Sequence, residues 1–164
     1  MQALDPKELE KVGSIVARYQ GRPGPLIEVL HEVQNLLGCI PPAAVAPIAE
    51  GLNLSRAEVH GVISFYHYFH EHPLGRHVVE VCLAEACQSM QSQSLVQHVK
   101  QRLGVDFHGT TADGGVSLLP VYCLGNCACA PAVMIDGQLH GRVSPQRFDQ
   151  LAVEIGVTAG APRK

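Results

Sequence analysis

The sequence predicts an α/β chain in two parts: an N-terminal helical bundle over residues 1–74 and a small sheet with helices packed on it over residues 75–164. Three observations carry this. Up to about Phe69 the apolar residues recur at steps of three and four behind two capping boxes. After Pro73-Leu74-Gly75 the character changes to short runs rich in valine. Near the C-terminus two such runs flank Asp136-Gly137-Gln138, a hairpin signal.

The elements follow in order. Asp5-Pro6-Lys7-Glu8 opens a first helix running to about Tyr19: Asp5 caps, the missing N–H of Pro6 costs nothing there, and Glu8 closes the box. Gly21-Arg22-Pro23-Gly24 breaks it. From near Pro25, Leu26, Leu30, Val33 and Leu37 share one face of a second helix, which Gly38 stops. Pro41-Pro42 starts a short third helix with Val45, Ile48 and Ala49. Ser55-Arg56-Ala57-Glu58 opens a fourth with Val59, Val62 and Ile63 inward, and helix is expected through about Phe69. His77 to Leu83 reads as a strand, and about Gln88 to Leu103 as a helix burying Leu95, Val96, Val99 and Leu103, with Gly104 as its stop. Asp113-Gly114-Gly115 is a turn before a strand from Val116 to Tyr122. Ala132 to Ile135 and Leu139 to Val143 form the hairpin, and Ser144-Pro145 caps a last helix ending near Gly156. Thr158 to Lys164 reads as a frayed tail.

Composition removes several function classes. At 164 residues with 46% hydrophobic and 16% charged, the chain can bury a core. Twelve Lys and Arg against fifteen Asp and Glu leave a net charge of -3, without a basic field for nucleic acid. The longest apolar run, Pro41 to Ala49, falls far short of the ~20 residues that span a bilayer. Met1-Gln2-Ala3-Leu4-Asp5 has no basic patch or apolar core of a secretory signal, so a cytoplasmic location is expected, with no membrane contact by this chain. There is no G-x-G-x-x-G after a strand, no phosphate loop and no nucleophile elbow.

The six cysteines carry the chemistry, and without a signal they favour metal or redox roles over a disulfide framework. Cys82 and Cys87 form one pair, four residues between them, and Cys123 and Cys127 another, with three. Each pair lies where a predicted strand ends, so two loops can bring four thiolates to one rim of a sheet. A [2Fe–2S] rhomb takes four thiolates, two per iron, with loops flexible enough to turn amide N–H groups toward sulfur. Gly125 permits such a turn. A structural zinc site in a non-redox interaction module also takes four thiolates, though these spacings are at the loose end of its range. A thiol–disulfide protein stays open too, although Cys-x-x-Cys is absent.

Cys82-Leu83-Ala84-Glu85-Ala86-Cys87, then Leu119-Pro120-Val121-Tyr122-Cys123-Leu124-Gly125-Asn126-Cys127, then Ala130-Pro131, resemble the thioredoxin-like [2Fe–2S] ferredoxin family. Gly38-Cys39-Ile40-Pro41-Pro42 and Ser55-Arg56-Ala57-Glu58-Val59-His60-Gly61-Val62 extend the likeness through the N-terminal part. The resemblance implies a thioredoxin-like sheet domain whose cluster ligands fall on Cys82, Cys87, Cys123 and Cys127. It implies no catalytic residue of its own, and an N-terminal domain that docks to larger partners. Members include the small peripheral-arm subunit of NADH:quinone oxidoreductase and matching subunits of NAD-linked hydrogenases. Tyr19-Gln20-Gly21-Arg22-Pro23-Gly24 and Ala84-Glu85-Ala86-Cys87-Gln88 look most like the gamma subunit of molybdenum-dependent NAD+ formate dehydrogenase. That likeness implies a beta subunit binding FMN and NAD, and an alpha subunit with the molybdenum cofactor and further Fe–S clusters. Cys39 stands where relatives commonly carry Tyr and reads as a small packed hydrophobe; Cys129 is an extra thiol close enough to compete for the cluster.

Two other groups draw attention. His67, His70, His72 and His77 suggest a metal by crowding, but no two are i, i+4, and a surface or interface role is favoured. Phe65, Tyr66, Tyr68 and Phe69, half of the chain's four Phe and four Tyr, read equally as an exposed docking patch or as filling between bundle and sheet.

Overall fold

A computed structural model describes residues 4–157. The expected tail from Thr158 onward, and Met1 to Ala3 at the start of the chain, lie outside the described residues. The chain divides between Pro73 and Leu74 into two compact units. Among the described residues no helix is long and apolar enough to cross a membrane.

The first unit holds α1 (Pro6–Tyr19), α2 (Leu26–Leu37), α3 (Pro42–Leu52) and α4 (Arg56–Phe65). Both capping boxes form: Asp5 accepts from the Glu8 N–H and Ser55 from the Glu58 N–H, while each glutamate reaches back to its cap N–H. Gly38 ends α2 in the left-handed conformation (φ 76°). Val12, Ile15 and Val16 of α1, Val29, Leu30 and Val33 of α2, Ile48 of α3, and Val59 and Ile63 of α4 form one core. Gly51 lets α1 and α3 approach, since a methyl group there would collide with Val16 Cγ1.

The fourth helix is shorter than its sequence suggests. It ends at Phe65, and Tyr66 turns to extended backbone (φ -91°, ψ 109°). The reason is tertiary. Gln34, nearly buried on α2, donates from Nε2 to the Tyr68 carbonyl (2.8 Å) and accepts from the His70 N–H at Oε1 (2.8 Å). Those two bonds replace the helical ones that residues 66–70 forgo. The turn drives Phe69 into the core, with His31 against Tyr68 and Phe69 at 4.8 and 5.1 Å between ring centres. Phe65, Tyr66 and Tyr68 stay exposed.

The second unit is built on a five-stranded sheet, order β2-β3-β1-β4-β5: β1 (His77–Cys82), β2 (Gly109–Thr110), β3 (Val116–Val121), β4 (Val133–Ile135) and β5 (Gln138–His140). β1 and β3 are parallel neighbours, with His77 opposite Val116 and Cys82 opposite Val121; all other pairs are antiparallel. A parallel pair needs a crossover, supplied by α5 (Glu85–Ser89) and α6 (Ser92–Leu103). The single helix expected from about Gln88 is two helices, because Gln91 adopts φ 62°, which no continuing helix accommodates. β2 has no counterpart among the expected strands; it is two residues long and exists only by pairing with β3. The hairpin is tighter than expected, with Asp136 (φ 50°) and Gly137 (φ 79°) as its two turn residues and Gln138 already in β5. Asp136 also accepts from the Val78 N–H and pairs with His77 Nδ1 at 2.7 Å. Ser144 caps α7 (Pro145–Glu154). Val79, Val81, Leu118, Val133 and Ile135 bury with Leu95 and Val99 of α6 and Phe148 and Leu151 of α7. By strand alternation Cys82 then points to the opposite face from Val81.

Gln34→Leu leaves the Tyr68 carbonyl and the His70 N–H without their partner. We expect it to lower stability by about 1–3 kcal/mol in urea titration followed by circular dichroism, the usual cost of orphaning buried polar groups. An unchanged midpoint would show that water replaces both bonds.

Candidate metal centre

The parallel pairing of β1 and β3 sends both chains out of the sheet at the same edge. Cys82 is the last residue of β1, and its N–H donates to the Ala132 carbonyl (3.1 Å). The next turn is tied down by Leu83 N–H to the Val121 carbonyl (2.7 Å) and by Gln88 Nε2 to the Leu83 carbonyl (2.7 Å). It leads into α5, which carries Cys87. From β3 the chain passes exposed Tyr122 to Cys123 and turns at Gly125 (φ 73°) into a 3₁₀ turn, Cys127–Cys129. The structure thus brings Cys82, Cys87, Cys123 and Cys127 to one rim.

The thiols stand as two pairs. Cys123 and Cys127 Sγ are 3.8 Å apart. Two thiolates on one tetrahedral metal, with bonds of about 2.3 Å, stand about 3.8 Å apart. Cys82 and Cys87 lie together in a small apolar wall with Ala130 and Ala132, lined further by Ala84, Val121 and Leu124. Burial, and then the neighbouring Cys82, push the Cys87 thiol up from its ordinary pKa. The hydrogen bond shared with Cys123, and then the charge of that neighbour, push Cys127 up. Each pair also feels the other, since Cys127 raises Cys87 and Cys82 raises Cys127. One pair is buried, the other exposed. The Gly125 N–H donates to Cys123 Sγ at 3.3 Å, a bond that stabilises negative charge on sulfur.

Among the described residues no three His, Cys, Asp or Glu side chains gather tightly enough to hold a single metal ion, the His67-to-His72 stretch included. A binuclear centre is the group that takes thiolates two by two, so this donor set fits a [2Fe–2S] cluster. Cys39 is buried in the first unit, where burial and Glu8 push its thiol up, as expected of a packed hydrophobe. Cys129 is half-buried, two residues past Cys127. Sequence reasoning missed that Cys87 sits inside a short helix and that alanines wall the inner pair. The small-residue run Ala128-Cys129-Ala130-Pro131-Ala132 was the available signal.

The profile of the family described as thioredoxin-like [2Fe-2S] ferredoxin matches residues 12–155. The chain belongs to the thioredoxin-like [2Fe–2S] ferredoxin family. It is 38% identical over 148 residues to a subunit of the NADH-quinone oxidoreductase of Pseudomonas aeruginosa, covering 90% of this chain and 89% of that protein. It is 33% identical over 131 residues to the HndA subunit of the NADP-reducing hydrogenase of Solidesulfovibrio fructosivorans, covering 80% and 77%. Among solved structures it resembles a crystal structure of NAD+-reducing [NiFe]-hydrogenase in the H2-reduced state, with TM-score 0.67 and 24% identity over 80% of this chain. This chain spans 22% of that polypeptide, and the likeness is one of fold. Of the three chemistries open to four thiols, family membership selects the [2Fe–2S] cluster over zinc and over thiol–disulfide exchange.

In metal-free thioredoxin-like ferredoxin of this sequence, exposure should order the thiols toward iodoacetamide. Cys123 and Cys127 should be alkylated before Cys39, Cys82 and Cys87, which are 4%, 2% and 2% exposed. A raised thiol pKa means less thiolate at a given pH, so the Cys127 rate should still climb at a pH where an ordinary thiol has levelled off. Equal labelling of all five in peptide mapping would contradict the packing described.

Proposed function

We propose that this ferredoxin is the [2Fe–2S] electron-transfer subunit of a multi-subunit NAD-linked oxidoreductase, holding its cluster through Cys82, Cys87, Cys123 and Cys127. The observation carrying the reading is the delivery of two thiol pairs to one rim by parallel strands, one pair at tetrahedral-edge spacing. When bound, the cluster supplies one-electron transfer. The protein holds it by thiolate ligation, closes its inner side with Cys82, Cys87, Ala130 and Ala132, and leaves its outer side at exposed Cys123 and Cys127 for a redox partner. The Gly125 N–H offsets charge at Cys123. The N-terminal unit docks, presenting Phe65, Tyr66 and Tyr68. Hydride transfer to NAD+ moves two electrons, so the partner meeting the outer side carries a flavin that divides the pair.

The finer assignment is the gamma subunit of a cytoplasmic NAD+-dependent formate dehydrogenase. Its partners would be an FMN- and NAD-binding beta subunit and an alpha subunit with molybdenum cofactor and Fe–S clusters. It is supported by the stretches Tyr19 to Gly24 and Ala84 to Gln88. The second reading, a subunit of NADH-quinone oxidoreductase or of a hydrogenase, is supported by the names of the relatives above. The complex purified through a tag on this chain decides between them. Molybdenum in the complex and formate-driven NADH formation support the first reading; quinone- or hydrogen-linked turnover supports the second.

Serine at any of Cys82, Cys87, Cys123 or Cys127 replaces a soft thiolate with a weaker ligand and should strip or destabilise the cluster. Cys39→Ala and Cys129→Ala should keep it. Iron content and the EPR signal of the reduced protein check each variant, and wild-type values in one of the four serine variants would remove that residue from the ligand set. In the assembled complex NADH should bleach this cluster, while the isolated chain should turn over neither formate nor NAD+. A cluster that stays coloured with NADH but bleaches with dithionite would have too low a potential for the relay.

A further inference from the structure

The turn carrying Cys127 is clamped from outside by a segment that belongs to neither cysteine loop. After β5 the chain passes His140, Gly141, Arg142 and Val143 before α7 begins at Pro145. The Arg142 N–H donates to the Cys129 carbonyl (2.6 Å) and the Val143 N–H to the Pro131 carbonyl (3.0 Å). Arg142 holds this pose with left-handed backbone (φ 51°). Gly141 fits against the turn with no room for a side chain. A methyl group there would stand 2.7 Å from Cys129 Cβ, 2.8 Å from Asn126 Nδ2 and 2.9 Å from the Cys129 carbonyl oxygen. Two of those atoms are the Cβ and backbone oxygen of one residue, so they cannot swing away singly. Asn126 and Cys129 are themselves tied, the Cys129 N–H donating to the Asn126 carbonyl (3.0 Å). Cys127 lies between them in the chain, so whatever moves Asn126 and Cys129 moves Cys127.

We propose that Gly141 and Arg142 form a backbone strap that positions the Cys127 turn and seats the Cys129 side chain on the hairpin side, so that they tune the cluster without touching it. Gly141 is thus a positioning residue, acting through Cys129 and Asn126. The inference rests on the reading that Cys127 is a ligand. A strap that only stabilises the hairpin would alter melting and leave the metal centre unchanged. A strap that positions a ligand must alter the centre itself, because thiolate placement and N–H···S bonding set its electronic environment.

The experiment uses the full chain loaded with its cluster, as wild type, Gly141→Ala, Cys129→Gly, the double variant, and Leu139→Ala as an exposed control on the same hairpin. Gly141→Ala should keep its iron, shift the EPR g values and midpoint potential of the cluster, and release iron to a chelator about tenfold faster, the usual scale for an outer-shell change. Cys129→Gly removes the nearest obstructing atom but leaves the Cys129 carbonyl and Asn126, so the double variant should shift less than the two single effects combined. The two substitutions are then non-additive, as touching residues are. Wild-type EPR, potential and release rate in Gly141→Ala overturn the proposal, as does a double variant whose effect equals the two single effects combined. An equal shift in Leu139→Ala also overturns it. Should Gly141→Ala fail to fold, Cys129→Gly alone must shift the EPR g values, since it removes the side chain the strap seats, and wild-type values there overturn the proposal. Cys127→Ser separates the two levels: iron retained there defeats the ligand reading, whereas iron lost there with an unaltered Gly141→Ala centre defeats only the strap.

Discussion

The metal centre depends on one constraint, the parallel register of β1 against β3. With Cys82 opposite Val121, the two strands end together and their following loops leave from the same edge. An antiparallel pair would send those loops to opposite ends of the sheet, and Cys82 and Cys123 could not share a site. Parallel pairing in turn demands the crossover through α5 and α6, and α6 can serve only if it buries Leu95 and Val99 on Val79 and Val81. Core and site therefore use alternate residues of the same strand: Val79 and Val81 face the helices, and Cys82 faces the rim. A one-residue slip of β1 would exchange the two sets, putting the valines at the rim and Cys82 under the helices.

What was legible in the sequence was local. The capping boxes at Asp5 and Ser55, the stops at Gly38 and Gly104, the Asp136-Gly137 turn and the cap at Ser144 each rest on a few neighbouring residues, and each formed. Two of the departures have distant causes. Phe65 ends α4 because Gln34, thirty-four residues before Tyr68, offers its carbonyl a better partner. Gly109–Thr110 is a strand only because Leu118 and Ser117 lie beside it. The break at Gln91 lets a short helix present Cys87 and a separate one cover the sheet. At the site, the two pairs could be picked out by spacing and strand ends. The choice among metals could not, because zinc and iron use the same thiolates, and the family's motif made it. The strap at Gly141 was invisible, because a lone glycine after a strand carries no sign of what its missing side chain makes room for.

The division of the site into an inner and an outer pair has a physical logic. A four-thiolate cluster is anionic and gains further charge on reduction, so complete burial among alanines would make reduction costly. Complete exposure would let water reach both irons. With the proposed ligands, burying Cys82 and Cys87 while leaving Cys123 and Cys127 open would avoid both extremes, and the Gly125 N–H directs one donor to the open side. Exposed Tyr122 beside Cys123 puts an aromatic surface at the same place. Aromatics are favoured where one surface meets another because they bury much area with little loss of rotamer freedom.

The same division governs how the site fills. Cys87 and Cys127 both have thiols pushed above the ordinary range, one chiefly by burial and one chiefly by its neighbour Cys123. Ligation by Cys87 and Cys127 must therefore displace protons held more firmly than those of ordinary thiols. Loading through these residues therefore becomes easier as pH rises. The 3.8 Å separation of Cys123 and Cys127 already matches the edge of a tetrahedral thiolate site. The parallel strands bring the loops together, and with the outer pair already at ligand spacing, the proposed ligands Cys123 and Cys127 would exchange protons for iron with little movement of their turn.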